Sequence, residues 1–186
     1  MKNLKFLAVF GLFAFILAGC APSQSVVALD PYKATSTTVN KSGLEVYISN
    51  IHDNRKNKST VATITDGKGS VKEYVMLQND LAGWFKEALT TQLVSNGVNV
   101  GSMGGLVVEV FINEFDANMS GYKSDNTRGN IKITLKITKG DQNIVKNISN
   151  NQTKFELIRT GSAFKPFLKD MIDDAVKRTA AAIINS

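Results

Sequence analysis

Residues 131–138 have the sequence IKITLKIT, in which a large aliphatic residue alternates with lysine or threonine. A period of two predicts a β-strand, because successive side chains of a strand point to opposite faces of the sheet. One face of this strand is apolar along its whole length and needs a second layer to cover it. This strand therefore decides the fold, and its neighbours in the chain must supply the rest of the sheet and the covering layer.

The sequence on both sides supplies partner strands. Residues 106–115 are predominantly apolar and predict a long strand, and residues 143–155 predict a more polar one. Gly140-Asp141 has the composition of a hairpin turn, whereas the polar residues 120–130 predict a turn or long hairpin loop. Hairpins join antiparallel strands, so the three strands are expected to form an antiparallel sheet.

Earlier in the chain, shorter segments show the same features. Residues 44–48 alternate between apolar and polar residues, which predicts another strand. Residues 60–65 and 71–75 are rich in β-branched residues and flank Asp66-Gly67-Lys68-Gly69, a typical hairpin turn. His52 and the polar residues after it are expected to form a solvated loop.

Two helices are predicted to cover the sheet. The first begins after a cap at Asn79 or Asp80 and ends at Asn96-Gly97. The second begins near Pro166, and both carry apolar residues at helical spacing on one side. The fold class is therefore α+β: a two-layer sandwich of an antiparallel β-sheet covered on one face by two α-helices, after a cleaved signal peptide.

The first twenty residues concern export. Lys2 and Lys5 precede an apolar run over 7–17, and Ala18-Gly19 then precede Cys20, the only cysteine. This order is typical of a secretory signal peptide and is too short for a typical transmembrane helix. The sequence Leu17-Ala18-Gly19-Cys20 resembles the lipobox of bacterial lipoproteins. That resemblance implies cleavage before Cys20, a diacylglycerol on its sulfur and acylation (palmitate) of the freed amine.

Three regions are predicted on this basis. Residues 1–19 are the lipoprotein signal peptide, residues 20–42 are the lipidated cysteine with a flexible tether, and residues 43–186 are a periplasmic α+β domain. The run Val26–Leu29 leaves an alternative open, in which part of the tether docks on the domain as an edge segment. Ala21, where an aspartate would imply retention at the inner membrane, implies by the same resemblance the outer membrane.

The composition is compatible with this location. The formal charge of +6 falls to +4 when Lys2 and Lys5 are removed with the signal peptide. The mature domain has no cysteine besides Cys20 and hence no internal disulfide, which suits an oxidising compartment. Such a mild positive charge is compatible with anionic lipids or polymers and equally with simple solubility.

A family resemblance arises from three stretches. Gly97-Val98-Asn99-Val100-Gly101, residues 106–115, and residues 131–137 with the Gly140 turn together resemble the YajG-type outer-membrane lipoproteins. The resemblance implies an anchored periplasmic α+β domain and implies no activity. At the level of fold, the architecture is also similar to the lipopolysaccharide-assembly lipoprotein LptE.

No catalytic or metal-binding set emerges from the sequence. His52 is the only histidine, no G-x-S-x-G is present, and a lipidated Cys20 cannot act as a nucleophile. The glycine-rich residues 101–105 precede a strand, whereas phosphate loops follow a strand and open a helix. We therefore expect no catalytic residue, no metal site, and no cofactor other than the covalent lipid on Cys20.

A basic sheet face is the main candidate for binding. Its predicted members are Arg128, Lys132, Lys136, Lys139 and Lys146. Such a face could meet an anionic glycolipid, peptidoglycan or an acidic partner, although any half-exposed antiparallel sheet also carries polar outward residues. Nucleic acid is not expected, because the protein is exported and the face lacks an aromatic series for stacking.

Four aromatic residues give a further possibility. Phe111, Phe115, Tyr122 and Phe155 either pack in the core or form an apolar patch for a partner.

These observations predict a lipid-anchored periplasmic interaction or accessory domain of the outer membrane, which binds or scaffolds another envelope component without catalysis. The alternative is a binding module for an anionic envelope glycan or glycolipid, lipopolysaccharide or peptidoglycan, through the basic sheet face. The expected partners are the membrane through the lipid anchor, another envelope protein, and in the alternative the glycan.

Overall fold

The computed structural model describes residues 21–34, 43–101, 105–121 and 125–186. Within these ranges the chain forms eight strands, two α-helices and one short 3₁₀ helix, Gly161–Ala163. The strands are β1 Ser23–Val27, β2 Glu45–Asp53, β3 Thr60–Thr65, β4 Val71–Leu77, β5 Asn99–Val100, β6 Leu106–Ser120, β7 Thr127–Lys139 and β8 Gln142–Lys154. The helices are α1 Leu81–Ser95 and α2 Phe164–Ile184.

Strands β6, β7 and β8 form the predicted antiparallel meander. The β6–β7 register runs from Val107 opposite Thr138 to Met119 opposite Thr127. The β7–β8 register is continuous, and Gly140 makes the turn at a φ of 56°. β6 continues to Ser120, beyond the predicted end at 115, and β7 begins at Thr127, so the two strands are closer in sequence than predicted.

The complete sheet is mixed rather than antiparallel. One edge of β6 pairs in parallel with two strands, β2 along its first half and β3 along its second half. β1 pairs in parallel with β4, and β5 pairs in parallel with β2. Antiparallel pairing occurs between strands joined by hairpins, whereas β2 and β3 reach β6 by a crossover through α1, which makes the pairs parallel.

Both helices cover one face of the sheet, which confirms the predicted α+β fold. Asp80 caps α1 by accepting a hydrogen bond from the Gly83 N–H at 3.2 Å, and Gly97 follows the helix at a φ of 79°. The apolar stripe of α1 is buried against the sheet and against α2, whose buried stripe extends along its whole length. Buried residues on the helix side of β6 and β7 complete the core.

Residues 21–34 belong to this folded body, so the predicted flexible tether is wrong for this segment. The segment instead follows the alternative prediction, in which part of the tether docks on the domain as an edge segment. β1 extends the sheet beside β4, and Val27 and Leu29 are buried. Trp84 Nε1 donates to the Asp30 carbonyl at 3.1 Å, and the Tyr32 hydroxyl donates to Gln92 Oε1 at 2.5 Å. The apolar residues and these hydrogen bonds together hold the segment on β4 and α1.

Several predictions fall on residues outside the described ranges. These are the signal peptide 1–19, the lipid site Cys20, the tether residues 35–42 and the aromatic residue Tyr122. Among the helices of the described ranges, none has the length and apolarity that crossing a bilayer requires.

Candidate functional site

The strand register divides the five predicted basic residues between the two faces of the sheet. On β7, the side chains of alternate residues from Ile131 to Ile137 are buried beneath the helices, so Arg128, Lys132 and Lys136 point to the other face. Lys146 lies opposite the buried Leu135 and shares its face. The prediction that Lys139 and Lys146 belong to the basic face is therefore wrong, because both project toward α2.

Lys139 and Lys146 hold the end of α2. Lys146 Nζ donates to the carbonyl oxygens of Ala182 at 2.8 Å and Asn185 at 3.1 Å, and Lys139 Nζ donates to the Ser186 carbonyl at 3.1 Å. The last carbonyls of a helix lack partners within the helix and carry partial negative charge, so cations stabilise them. These two lysines belong to the fold, which leaves three basic residues on the other face.

We call this other side of the sheet, opposite the helices, the open face. It is formed by the outward side chains of β2, β6, β7 and β8. Lys132 Nζ forms an ion pair with Glu114 at 2.9 Å, and Lys136 Nζ lies 4.6 Å from the centre of the Phe111 ring. The second contact has the geometry of a cation–π interaction.

Carboxylates balance the positive charge of the open face. Glu109, Glu114 and Asp116 occupy outward positions on β6, beside the lysines of β7. Burial, and after it the charge of Glu114, raises the pKa of Asp116 above its usual value. The open face is therefore mixed in charge rather than basic.

His52 is part of the open face and not of a solvated loop, which corrects the sequence-based prediction. It lies on β2, and its ring stacks on Phe111 with ring centres 4.7 Å apart and an angle of 12° between the planes. Its Nε2 lies 2.7 Å from Glu109 Oε1. His52, Phe111 and Lys136 thus form a stacked row across three strands, flanked by a carboxylate.

Amide and hydroxyl side chains form hydrogen-bonded rows beside this cluster. Asn113 Nδ2 donates to Thr134 Oγ1 at 3.0 Å, which in turn donates to Asn147 Oδ1 at 2.9 Å. Thr138 Oγ1 likewise donates to Asn143 Oδ1 at 3.0 Å. These rows fix the rotamers of exposed side chains, so the open face presents an ordered polar surface.

A cleft of about 580 Å³ lies between β2, the end of β4 and the start of α1. Asp53 lines it, and both oxygens of its carboxylate accept hydrogen bonds from the buried guanidinium of Arg55. Burial raises the pKa of Asp53, but the hydrogen bonds from Arg55 outweigh this effect and hold the pKa below its usual value.

The cleft brings together no recognisable catalytic set. His52 also borders it, but its ring is engaged by Phe111 and Glu109. Within the part of the chain that the structure describes, no three histidine, cysteine or acidic side chains are grouped to hold a metal ion.

Of the four aromatic residues in the predicted patch, the three that the structure describes lie in different places. Phe115 is buried, Phe111 is half-buried on the open face, and Phe155 is 45% exposed in the loop after β8. Leu157 and Ile158 in the same loop are 72% and 65% exposed. Sequence alone does not predict the exposure of these two residues, since its only signal is an apolar pair after a polar strand.

Comparison with solved structures shows the fold. Protein XCC0632 from Xanthomonas campestris superimposes with a TM-score of 0.64 at 9% identity, over 86% of this chain and 95% of that one. An uncharacterized protein superimposes with a TM-score of 0.56 at 10% identity, over 89% of this chain and 98% of that one. The rare lipoprotein B from Shewanella oneidensis reaches a TM-score of only 0.43 at 8% identity, over 67% of this chain and 90% of that one.

The search among curated proteins found no match. Neither the names of the structural neighbours nor the matching family suggests catalysis. A family model described as an uncharacterized lipoprotein matches residues 33–185. The chain therefore belongs to this family, the YajG family of bacterial lipoproteins, which indicates a membrane-anchored place in the cell envelope.

Proposed function

We propose that this chain is an accessory protein anchored by lipid on Cys20 to the outer membrane, with its domain in the periplasm. In this proposal the open face binds or scaffolds another envelope component, and the protein performs no catalysis. The observation that carries the proposal is the asymmetry of the sheet. In the part of the chain that the structure describes, α1 and α2 pack on one face, whereas the other face is open and its side chains are ordered by hydrogen bonds and stacking.

The chemistry of the open face favours a protein partner. Arg128, Lys132 and Lys136 are accompanied by three carboxylates, so a polyanion would meet repulsion as well as attraction. A protein surface can match such a mixed pattern charge by charge, and this kind of complementarity gives specificity. The half-buried ring of Phe111 adds an apolar element at the centre.

The lipid anchor is tested by mass spectrometry of the intact protein from membranes. We expect loss of residues 1–19 and the added mass of a diacylglycerol and an acyl chain on Cys20. A Cys20→Ser variant should lack both the added mass and the association with membranes. Recovery of the full-length chain without modification would contradict the anchor.

The binding face is tested by site-specific photocrosslinking in cells. A photoreactive residue at Asn147 lies on the open face, and one at Lys177 lies on the exposed side of α2 as a matched control. We expect a discrete protein adduct from position 147 that is absent from position 177. The double variant Lys132→Gln, Lys136→Gln should reduce this adduct and lower the melting temperature only slightly, since exposed ion pairs contribute little to stability.

Other outcomes decide against the proposed partner. An adduct with lipopolysaccharide or peptidoglycan at position 147 would support the alternative, an anionic glycan held by Arg128, Lys132 and Lys136. Identical adducts from positions 147 and 177 would show that the open face has no special role.

A further inference from the structure

The loop after β8 exposes an unusual amount of apolar surface. We call residues 155–160 the tip loop. Seven large apolar side chains are exposed among the described residues. Three of them, Phe155, Leu157 and Ile158, belong to four consecutive residues of this loop. Clustered apolar exposure of this kind marks a surface that meets a partner or a membrane.

The fold holds the tip loop in this conformation. The buried side chain of Asn126 accepts a hydrogen bond from the Glu156 N–H at 2.8 Å and donates to the Glu156 carbonyl at 2.7 Å. Arg159 donates to the carbonyl oxygen of Thr65, and Glu156 forms an ion pair with Lys154 at 2.9 Å. The polar residues of the loop are thus bound inward or sideways, while its apolar side chains stay in solvent.

The tip loop lies at the end of the molecule where β1 begins. The register places Ser23, at the start of β1, opposite Glu73 of β4. Glu73 Oε1 accepts a hydrogen bond from the N–H of Gly161, directly after the tip loop, at 3.0 Å. Cys20 precedes Ser23 by three residues, which span at most about 10 Å when extended.

Two ion pairs lie at this end of the molecule. Lys154 pairs with Glu156, and Lys72 pairs with Asp66 at 3.3 Å in the neighbouring hairpin. The exposed side chains of Phe155, Leu157 and Ile158 distinguish this end from the rest of the described surface, and the interaction that they offer is apolar contact. The hydrocarbon boundary of a lipid bilayer provides that contact, and an anchor on Cys20 places the bilayer within reach.

We propose that the tip loop inserts Leu157 and Ile158 into the phospholipid surface that holds Cys20, with Phe155 at the interface. This inference rests on the proposed lipid attachment. The two contacts would fix the orientation of the domain: its strands stand steeply on the membrane, and the open face is turned sideways and remains accessible.

The experiment attaches the protein to a membrane independently of cellular lipidation. The chain from Cys20 onward contains every residue that the structure describes and only one cysteine. Its thiol is coupled to maleimide-bearing lipid in phosphatidylcholine vesicles whose acyl chains are brominated. Tryptophan is introduced as Leu157→Trp or Ile158→Trp, with Val94→Trp and Val145→Trp as controls at sites that are 56% and 61% exposed. The native Trp84 is only 8% exposed, and its signal is subtracted.

We expect brominated lipid to quench tryptophan at positions 157 and 158 at least about twofold more strongly than at 94 and 145, because quenching requires entry into the acyl region. Equal quenching at all four positions would overturn the inference, and stronger quenching at 145 would show that the open face lies on the membrane instead. If mass spectrometry finds no lipid on Cys20 in protein from cells, the proposed anchor is refuted. The vesicles supply their own anchor, so they test insertion of the tip loop independently of that result.

Discussion

Arg55 is a buried cation with only 6% of its surface exposed, and its guanidinium is hydrogen-bonded to the carboxylate of Asp53. Its Nε and Nη2 donate to the two oxygens of Asp53 at 2.9 and 2.8 Å, and Nη2 also donates to the Lys58 carbonyl at 2.7 Å. These bonds shape residues 54–59, which fill the gap between β2 and β3 along the edge of β6. The Asn54 N–H donates a hydrogen bond to the Ile112 carbonyl at 2.9 Å, which attaches this segment to β6.

Replacing Asp53 should be strongly destabilising. In Asp53→Asn the buried guanidinium of Arg55 would lose the carboxylate to which it is hydrogen-bonded, and we expect the free energy of unfolding to fall by about 3 kcal/mol. Urea unfolding measures this change. Asp141→Asn, in the exposed turn between β7 and β8, is the matched control and should change stability little. Equal effects of the two substitutions would contradict a structural role for the pair.

The same pair predicts a pH dependence. The pKa of Asp53 in the folded protein is below the ordinary aspartate value of 3.8, so the folded state favours the charged carboxylate. The stability that Asp53 contributes is therefore fully present above pH 3.8 and is lost as the pH falls through the lower, folded pKa. Wild-type stability should decline in this acid range more steeply than that of Asp53→Asn. Parallel pH profiles of the two proteins would exclude this linkage.

Among the elements, α2 depends on two lysines from the sheet for its C-terminal end. Lys146→Met keeps the length of the side chain but removes the donors to the Ala182 and Asn185 carbonyls. We expect a loss of about 1–2 kcal/mol in unfolding free energy, measured by urea denaturation. Lys132→Met, on the open face, should cost below about 1 kcal/mol, since exposed ion pairs contribute little. The opposite order would mean that Lys146 points away from the helix.

Lys132 and Lys146 show which side-chain positions the sequence predicts and which it does not. The strict alternation of residues 131–138 fixes which side chains of β7 are buried, and the stripes of α1 and α2 fix the covering face. The sequence of β8 is polar throughout most of its length, so it carries no period that assigns Lys146 to a face. That assignment comes from the register, which places Lys146 opposite Leu135.

The remaining differences arise from contacts between distant residues. Parallel pairing of β2 and β3 with β6 needs a crossover connection, and no turn motif in the sequence predicts such a connection. The exposure of Leu157 and Ile158 depends on Asn126, which lies 30 residues before Glu156 in the chain. The signal-peptide resemblance concerns residues outside the described ranges, and it remains a prediction.

The edge strand β1 depends on a glycine. A Cβ at Gly161 would lie 1.7 Å from Ser25 Oγ and 2.6 Å from Glu73 Oε1, so Gly161→Ala must displace β1 or the 3₁₀ helix. We expect a loss of about 1–3 kcal/mol and faster proteolysis within residues 21–34. Gly67→Ala is the matched control, because a Cβ there meets nothing within 4 Å. Unchanged protease sensitivity in Gly161→Ala would contradict tight docking of β1.

At the scale of the whole molecule, residues 21–34 cover the free edge of β4 and contact α1. A chain that starts at Gly43, where the sequence places the domain, loses the burial of Val27 and Leu29 and leaves the edge of β4 unpaired. We expect its unfolding free energy to be at least about 3 kcal/mol lower than that of a chain starting at Ala21, with a lower melting temperature and a tendency to aggregate. Equal melting temperatures would show that the segment is dispensable.

The shared edge of β6 has a kinetic consequence. The residues of β2 and β3 that pair with β6 lie more than fifty positions before their partners in the sequence. Both strands must pair with β6 before this edge is complete. Chains dominated by such non-local pairings have high contact order and fold slowly, because the entropy of closing long loops is lost before the contacts form. The hairpin partner β7 can pair early, so we expect the β6–β8 meander with α2 to form first. We then expect completion of the sheet around β6 to be the slow step, which sets how long the partly folded chain exposes its strand edges.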